Sequence, residues 1–384
     1  MSLCAIDTPL CTQLLCVKIT GVKAVESPDF IKHRLKSAGI NPRNLLVDVT
    51  NYICLDLGQP LHVYDADAIK GPLKACQLKT DHPFKTLDDI TITLTSSDIV
   101  IADDSGPIGL AGIMGGLSTT VRNTTNAIIL EAAVFDAVAI AGSGQRHNIN
   151  SNARARFERG IDPVMTEVAL KKAIDLIVTY GGGAVDATDY HKTPIKKRVI
   201  VWDPTLMETR TGVVLSQEKM TAILTRLGCT VFGNEITVPT WRHDLQIPVD
   251  LVEELLRITG YDALPTQSLP PKACIPQTSI LTDVSSLGFQ ECVTLSFTTQ
   301  HKASLFSKTL VEIDNPISQD LSTMKPSLLC GLLDTAKHNL NYGQEQGAFY
   351  EVGKRYFLTE ASDFPGVTDS SASRVEAVST GIQE

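Results

Sequence analysis

The sequence lacks the patterns that mark several common classes of protein. No apolar run reaches the roughly 18 residues that a membrane-spanning helix needs, and no charged segment followed by an apolar one opens the chain. An excess of basic residues is also missing, since the formal net charge is -9 and the pI is about 5.4. These absences argue against a membrane protein, a secreted precursor and a general binder of nucleic acids, although local basic patches remain possible.

Cysteine pairs with metal-binding or redox spacing are absent as well. The chain has nine cysteines, an odd number, and no two of them form a C-x-x-C motif. Several lie in apolar runs such as "LTRLGC". We therefore predict free thiols in a reducing cytoplasm, without a disulfide framework or a cysteine zinc site.

Nucleotide-binding loops are missing in the same way. The glycine-rich "LAGIMGG" at 110–116 has no Lys-Ser/Thr after it, and "GSGQRH" does not fit G-x-G-x-x-G. A tight turn with a close approach of two backbones is the expected role of these glycines.

A length of 384 residues favours two or three domains with a mixed α+β fold. In the first part, at 10–195, short strand-like runs such as "LLVDVTNYICL", "DIVIAD" and "AIILEAAVF" accompany helices that begin near Ser27 and Asp162. The second part, at 197–267, predicts a strand, a helix, a hairpin turning at Gly233-Asn234 and a second helix, followed by the Pro-rich linker "LPPKACIP". The third part, at 277–384, predicts helix, strands and a Ser-rich loop at 368–373, and we expect it to be truncated.

Two polar side chains stand out in apolar runs of the first part. His62 lies in "LGQPLHVYD" and is either a hydrogen-bonded core residue or part of a site. Glu131 lies in "IILEAAVF" and would share a strand face with Ile129 and Ala133. A carboxylate among apolar neighbours implies a partner or ligand, unless that face is solvated.

Two charged clusters allow both a structural and a functional interpretation. "RHNINSNARARFERGID" is either a salt-bridged loop or a positive rim for a polyanion. In "TWRHDLQIPVDLVEELLR", the acids at i, i+3 and i+4 share a helix face near its N-terminus, where they suit the helix dipole. Together with a preceding aspartate they also offer oxygen ligands for Mg²⁺; the four acids are Asp244, Asp250, Glu253 and Glu254.

Long motifs in a fixed order resemble the β subunit of bacterial phenylalanyl-tRNA synthetase. "VDVTNYICLDLGQPLHVYDADAI", "LAGIMGG", "LEAAVF" and "RARFERGIDP" resemble its editing domain. "VPTWRHDLQIPVDLVEELLRITGYDALP" resembles a small winged-helix-like module, and "LGFQECVTLSF", "NPISQDLSTMKPSLLCGLLDTAKHNLN" and "FYEVGKRYF" resemble the start of an antiparallel-sheet, catalytic-like domain. The resemblance covers about residues 12–384.

The resemblance implies a site that hydrolyses tyrosine wrongly attached to the tRNA for phenylalanine. By resemblance the catalytic positions are His62, Glu131 and Ser151, and the substrate-binding positions are Gly115 and Ala153. Ser151 stands where the family has threonine, and Asn152 and Arg154 replace an acid and a serine of its "TDAS" motif. The same resemblance assigns Mg²⁺ to Asp244, Asp250, Glu253 and Glu254.

The resemblance also implies partners. An α subunit would carry the ATP-dependent aminoacylation within an α2β2 holoenzyme that binds tRNA, phenylalanine and tyrosine, so this chain alone is not expected to aminoacylate. A scaffold that has lost editing is the alternative, and a free-standing nucleic-acid-binding protein is less favoured because the chain is acidic.

Overall fold

The computed structural model describes residues 2–266, 268, 284–344, 346–357 and 374–380, the last segment by its backbone. The chain divides into two compact units, residues 1–267 and 268–384. Both contain helices and strands, which confirms the expected mixed α+β class. Within the described part of the chain, no helix is long and apolar enough to cross a membrane.

The first unit opens with an arrangement of strands and helices that builds the candidate site. In chain order these elements are β1 (Cys4–Asp7), β2 (Cys11–Thr20), α1 (Asp29–Ser37), α2 (Leu45–Leu57), β3 (Leu61–Asp65), β4 (Leu73–Gln77), β5 (His82–Lys85), β6 (Thr91–Leu94), β7 (Ile99–Asp103), β8 (Gly106–Leu110), β9 (Met114–Gly115), β10 (Ala127–Phe135), α3 (Ala137–Arg146), α4 (Asn152–Phe157), α5 (Met165–Gly181) and β11 (Ala184–Lys192).

Two sheets pack face to face in this region. One is an antiparallel sheet in the order β11-β2-β10-β3, and the other is a mixed sheet in the order β1-β4-β7-β8-β9. Alternate residues of β2 divide between the two sides: Leu15 and Val17 pack against α2 and α5, whereas Leu14 and Cys16 face the mixed sheet. Each side has its own apolar core, so β10 and β3 are covered on both faces.

Helix α2 corrects one expectation, because "LLVDVTNYICL" is helical and not a strand. Asn44 Oδ1 accepts a hydrogen bond from the Val47 amide at the start, and Gly58 ends the helix with a φ of 71°. Leu45, Val49 and Ile53 are fully buried within a core that surrounds much of the helix. A helix buried on several sides has no clear 3.6-residue pattern, and its apolar run resembles a buried strand.

The two predicted helix starts are also shifted. Pro28 is the N-cap of α1, whereas the Ser27 hydroxyl donates to the buried carboxylate of Asp48 at 2.5 Å. Helix α5 begins at Met165 and not at Asp162. Such shifts of one to three residues leave the buried face of each helix unchanged.

The remainder of the first unit forms a small α+β module. Its elements are β12 (Arg198–Val201), α6 (Thr205–Thr211), α7 (Gln217–Arg226), β13 (Thr230–Phe232), β14 (Glu235–Val238) and α8 (Pro248–Thr259). The three strands form an antiparallel sheet in the order β12-β14-β13, and the hairpin turns at Gly233-Asn234 as predicted. The short helix α6 was not predicted.

The second unit contains short strands and helices. These elements are β15 (Gln290–Glu291), β16 (Phe297–Thr298), α9 (Gln300–Ser304), β17 (Thr323–Met324), α10 (Leu329–Asn341), β18 (Gly347–Gly353) and β19 (Arg374–Thr380). β18 pairs with β19 antiparallel and with β15 parallel, so this sheet is mixed and not purely antiparallel. The predicted linker at 269–276 and the Ser-rich loop at 368–373 lie outside the described residues.

Candidate active site

Strand pairing brings His62 and Glu131 together. β3 and β10 run antiparallel, and His62 is directly opposite Glu131 in the register. Tyr64 lies two residues beyond His62 on the same strand face, and its hydroxyl donates to Glu131 Oε2 at 2.5 Å. The His62 and Tyr64 rings meet edge to face, with their centroids 4.5 Å apart. One face of the pair of strands thus carries an imidazole, a phenol and a carboxyl group.

Burial sets the charges of these groups. Burial raises the pKa of Glu131 from 4.5 to about 7, although the hydrogen bond from Tyr64 opposes the rise. Burial lowers the pKa of His62 from 6.5 to about 4. Near neutral pH the imidazole is therefore uncharged and able to accept a hydrogen bond, while Glu131 exchanges between its neutral and ionised forms.

The three polar groups line a cavity of about 80 Å³ between the two sheets. Its other walls are mainly apolar or glycine, as in many small-molecule sites. Gly115 and Ala153 are among these walls; the full lining is Pro60, Leu61, His62, Tyr64, Ile101, Gly109, Leu110, Ala111, Gly112, Ile113, Met114, Gly115, Glu131, Phe135, Ala153 and Phe157.

The glycine-rich run forms the turn between β8 and β9 and brings its backbone against the histidine. Gly112 has a φ of 66°, which favours glycine. A Cβ on Gly115 would lie 2.4 Å from His62 Cε1 and 3.1 Å from Leu87 Cδ1. The close approach at Gly115 therefore needs the absence of a side chain, and no phosphate role is required to explain these glycines.

Ser151 lies outside the lining of this cavity. Its hydroxyl donates to the Ile113 carbonyl at 2.8 Å and accepts from the Arg154 amide at 3.0 Å, so it caps α4. These two hydrogen bonds connect α4 with the glycine-rich turn. Helix α4 contributes Ala153 and Phe157 to the cavity. The geometry of Ser151 is that of a positioning residue and not of a nucleophile facing the cavity.

The arginine-rich segment is largely engaged in local contacts. Arg154 Nε donates to Glu158 Oε2 at 3.0 Å, and Arg154 Nη1 donates to the Ile149 carbonyl at 2.8 Å. Arg146 pairs with the fully buried Asp98. These contacts support the salt-bridged interpretation for Arg146 and Arg154.

Tyr64 was not among the predicted site residues, although the sequence contains a signal for it. A residue two positions from His62 in a strand lies on the same face. Phe135 and Phe157 were also not selected; their rings pack with centroids 5.3 Å apart and form an aromatic wall of the cavity. Phe157 belongs to α4, whose approach to β10 depends on tertiary packing.

Three of the four acids of the small module contact arginine side chains or backbone amides. Arg242 Nη2 donates to Asp244 Oδ2 at 2.7 Å, and Arg242 Nη1 donates to Glu254 Oε2 at 2.9 Å. Hydrogen bonds from Arg242 and Arg257 lower the pKa of Glu254 to about 2 despite its burial. Asp250 accepts from the Gln246 and Ile247 amides.

This arrangement does not fit a bound Mg²⁺. Glu253 is exposed, and among the described residues no three of the four carboxylates place oxygens within 4.8 Å of one another. A Mg²⁺ ion needs several oxygen ligands at about 2.1 Å. The cation that two of the four acids engage here is the guanidinium of Arg242.

Three family models match consecutive parts of the chain. They are the B3/4 domain at residues 10–182, the tRNA synthetase B5 domain at 200–261 and the phenylalanyl tRNA synthetase beta chain CLM domain at 277–370. The candidate cavity lies within the first of these matches.

Curated relatives agree with the family models. The phenylalanine–tRNA ligase beta subunit of Zymomonas mobilis is 36% identical over 355 residues, which is 89% of this chain and 45% of that protein. The Streptomyces avermitilis beta subunit is 34% identical over 371 residues, which is 91% of this chain and 44% of that protein. The chain thus spans less than half the length of these curated relatives.

A solved structure of an N-terminal fragment of the phenylalanyl-tRNA synthetase beta subunit from Pyrococcus horikoshii is also similar. It is 11% identical, with a TM-score of 0.30, and the match covers 66% of this chain and 73% of that one. A score this low carries no structural argument.

Proposed function

The chain belongs to the phenylalanyl-tRNA synthetase β-subunit family, and on that premise we propose that its first region hydrolyses tyrosine wrongly esterified to the tRNA for phenylalanine. The observation that carries the proposal is the cavity in which His62, Tyr64 and Glu131 converge. An ester is already activated, so a shaped pocket and an oriented water suffice for its hydrolysis.

The need for such a site follows from the limits of recognition by shape. A pocket that accepts phenylalanine cannot strongly reject an analogue that only adds a hydroxyl. A second pocket that hydrogen-bonds this hydroxyl can select tyrosine over phenylalanine. Bound phenylalanine would leave the buried polar group of that pocket without a partner.

Glu131 supports this selection. Among the described residues, Tyr64 is its one hydrogen-bond donor, so the carboxyl has capacity for a substrate phenol. The ionised form is the stronger acceptor. We propose that the phenol either joins or displaces Tyr64 at this carboxyl group.

His62 supports the positioning of the ester. Its uncharged ring can accept a hydrogen bond from a water or from the terminal ribose of the tRNA. Gly115 keeps the ring close to the opposite wall. Ala153 limits the pocket, and Ser151 acts through the turn that it hydrogen-bonds.

The other parts of the proposal concern assembly. We propose three functional parts, at 10–195, 197–267 and 277–384. The second would be a winged-helix-like module, and the third would belong to a catalytic-like domain. They would associate in the cytoplasm with an α subunit that uses ATP, in an α2β2 assembly that binds tRNA. The described cysteines are free thiols, as a reducing compartment requires. No step is assigned to Mg²⁺, because the acids as arranged do not fit it.

A scaffold without editing activity is the second candidate. Arg154 and Asn152 depart from the family motif, and Arg154 is held by Glu158 and by the Ile149 carbonyl. In this case the cavity would remain but water would not be positioned.

The deacylation of tyrosyl-tRNA tests the proposal. The chain, assembled with its α subunit, should hydrolyse this ester, His62→Ala should slow the reaction, and Glu131→Ala should reduce the preference for tyrosine over phenylalanine. His33→Ala, at an exposed histidine of α1, is the matched control. If both variants match the unmodified protein, the residue assignment is wrong; if tyrosyl-tRNA stays intact throughout, the scaffold is favoured.

A further inference from the structure

A second cluster of side chains has metal-binding chemistry, and none of its members lines the cavity. Ligand atoms of Cys4, Asp189 and His191 all lie within 4.8 Å of one another, the one such group of histidine, cysteine and acidic residues in the described part of the chain. Cys4 begins β1 in the mixed sheet, whereas Asp189 and His191 belong to β11 in the antiparallel sheet. The cluster therefore connects the two sheets.

Strand register explains why these groups meet. Asp189 and His191 are two residues apart in β11 and share one face. Cys16 of β2 is directly opposite Asp189, and Cys16 and Cys4 are both fully buried. The result is a carboxylate, an imidazole and a thiol within 4.8 Å of one another.

The contacts of Asp189 hold its carboxylate as metal-binding carboxylates are commonly held. Oδ2 accepts hydrogen bonds from Ser2 Oγ at 2.5 Å and the Leu3 amide at 2.8 Å. The other oxygen, Oδ1, lies 3.2 Å from His191 Nε2. That nitrogen is shielded from solvent and makes no hydrogen bond with a described residue. His191 Nε2 and Asp189 Oδ1 therefore lie side by side, both within 4.8 Å of the Cys4 sulfur.

We propose that Cys4, Asp189 and His191 bind one zinc ion. Sulfur, imidazole and carboxylate are the ligands that zinc prefers, at about 2.0 to 2.3 Å, which places neighbouring ligand atoms about 3.5 Å apart in a tetrahedron. The 3.2 Å between Asp189 and His191 is close to this value, and the 4.8 Å limit leaves about 1 Å of closure.

The Cys4 thiol proton and the position of His191 at the surface are both compatible with metal binding at this site. Cys4 would release its thiol proton to solvent as the sulfur–zinc bond forms, while Asp189 and His191 would donate lone pairs without a covalent change. The thiol now points at the Leu14 and Asp189 carbonyls, at 3.7 and 3.5 Å, and would turn from them. The side chain of His191 is 42% exposed, so one of the three residues lies at the protein surface.

Cobalt binding tests the proposal in the full, tag-free chain. After treatment with a chelator, the chain should bind one Co²⁺ with a thiolate-to-cobalt charge-transfer band and intense tetrahedral bands, and Zn²⁺ should displace it. His191→Asn should weaken Co²⁺ binding at least about tenfold. Cys4→Ser should abolish the charge-transfer band.

Matched controls keep the result interpretable. His33→Asn replaces an exposed histidine and Cys54→Ser a buried cysteine outside the cluster, and both should leave the cobalt spectrum unchanged. Because Cys4 is buried and its replacement could unfold the chain, the exposed His191 gives the decisive comparison. Absence of the charge-transfer band, or an equal spectrum after His191→Asn, would overturn the proposal.

Discussion

Glu131→Gln should change how the stability of the first unit depends on pH. The carboxyl is buried, with a pKa raised by burial from 4.5 to about 7. Between these two pKa values the folded protein holds a proton that the unfolded chain releases, so the free energy of unfolding falls as pH rises. Glutamine does not titrate, and its amide oxygen can still accept the hydrogen bond from Tyr64.

The magnitude follows from the two pKa values. A raised pKa of this size corresponds to about 3 kcal/mol when complete, of which about 2.5 kcal/mol develops between pH 5 and pH 8.5. As pH rises from 5 to 8.5, the free energy of unfolding of the variant should therefore increase by about 2.5 kcal/mol relative to that of the unmodified chain. Taking the difference between the two proteins removes the contribution of other titrating groups.

Urea unfolding at several pH values, followed by far-UV circular dichroism, measures this difference. Tyr64→Phe is the second variant: it removes a hydrogen bond that lowers the pKa of Glu131, so its fall in stability should extend to higher pH. A stability difference between Glu131→Gln and the unmodified chain that stays constant within about 0.5 kcal/mol from pH 5 to pH 8.5 would contradict a raised pKa of Glu131.

Three other substitutions test the packing. Gly115→Ala should displace His62, because its Cβ would lie 2.4 Å from the ring, and should lower stability by about 1–3 kcal/mol in thermal unfolding. Ser151→Ala should cost about 1 kcal/mol, measured in the same way, because α4 loses its cap and the turn loses a hydrogen bond. Lys325→Met should destabilise the second unit by about 3–5 kcal/mol in urea unfolding, since it leaves the carboxylate of Glu351 buried without its ion pair.

Matched substitutions provide controls for two of these changes. Gly142→Ala adds a methyl group in α3 where no atom lies within 4 Å, and should be neutral or stabilising by up to about 1 kcal/mol. Lys302→Met breaks an exposed ion pair with Asp334 and should cost less than about 1 kcal/mol. Equal effects at Gly115 and Gly142, or at Lys325 and Lys302, would contradict the role given to burial.

Local sequence patterns predicted much of the fold but not the surroundings of its buried helix. The alternation in "AIILEAAVF" places Ile129 and Ala133 on the face of Glu131, as β10 confirms. Helix α2 was missed because its apolar residues meet neighbours on several sides. The period of a pattern is informative only where one face of an element is polar.

The candidate site shows the same division. His62 and Glu131 could be predicted as site residues because burying a polar group in an apolar run is costly without a partner. Their pairing depends on the register of β3 and β10, and the engagement of Asp244 and Glu254 by Arg242 depends on side-chain geometry. Sequence spacing was compatible with metal binding by those acids, because spacing does not show which cation a carboxylate contacts.

The most direct measurement is the single-turnover hydrolysis of tyrosyl-tRNA and phenylalanyl-tRNA, both on the tRNA for phenylalanine, by the chain assembled with the proposed α subunit. We expect the tyrosyl ester to be hydrolysed faster than the phenylalanyl ester, and this difference to be smaller in Glu131→Ala. Equal rates for the two esters, or no hydrolysis of either beyond the rate in buffer, would contradict it.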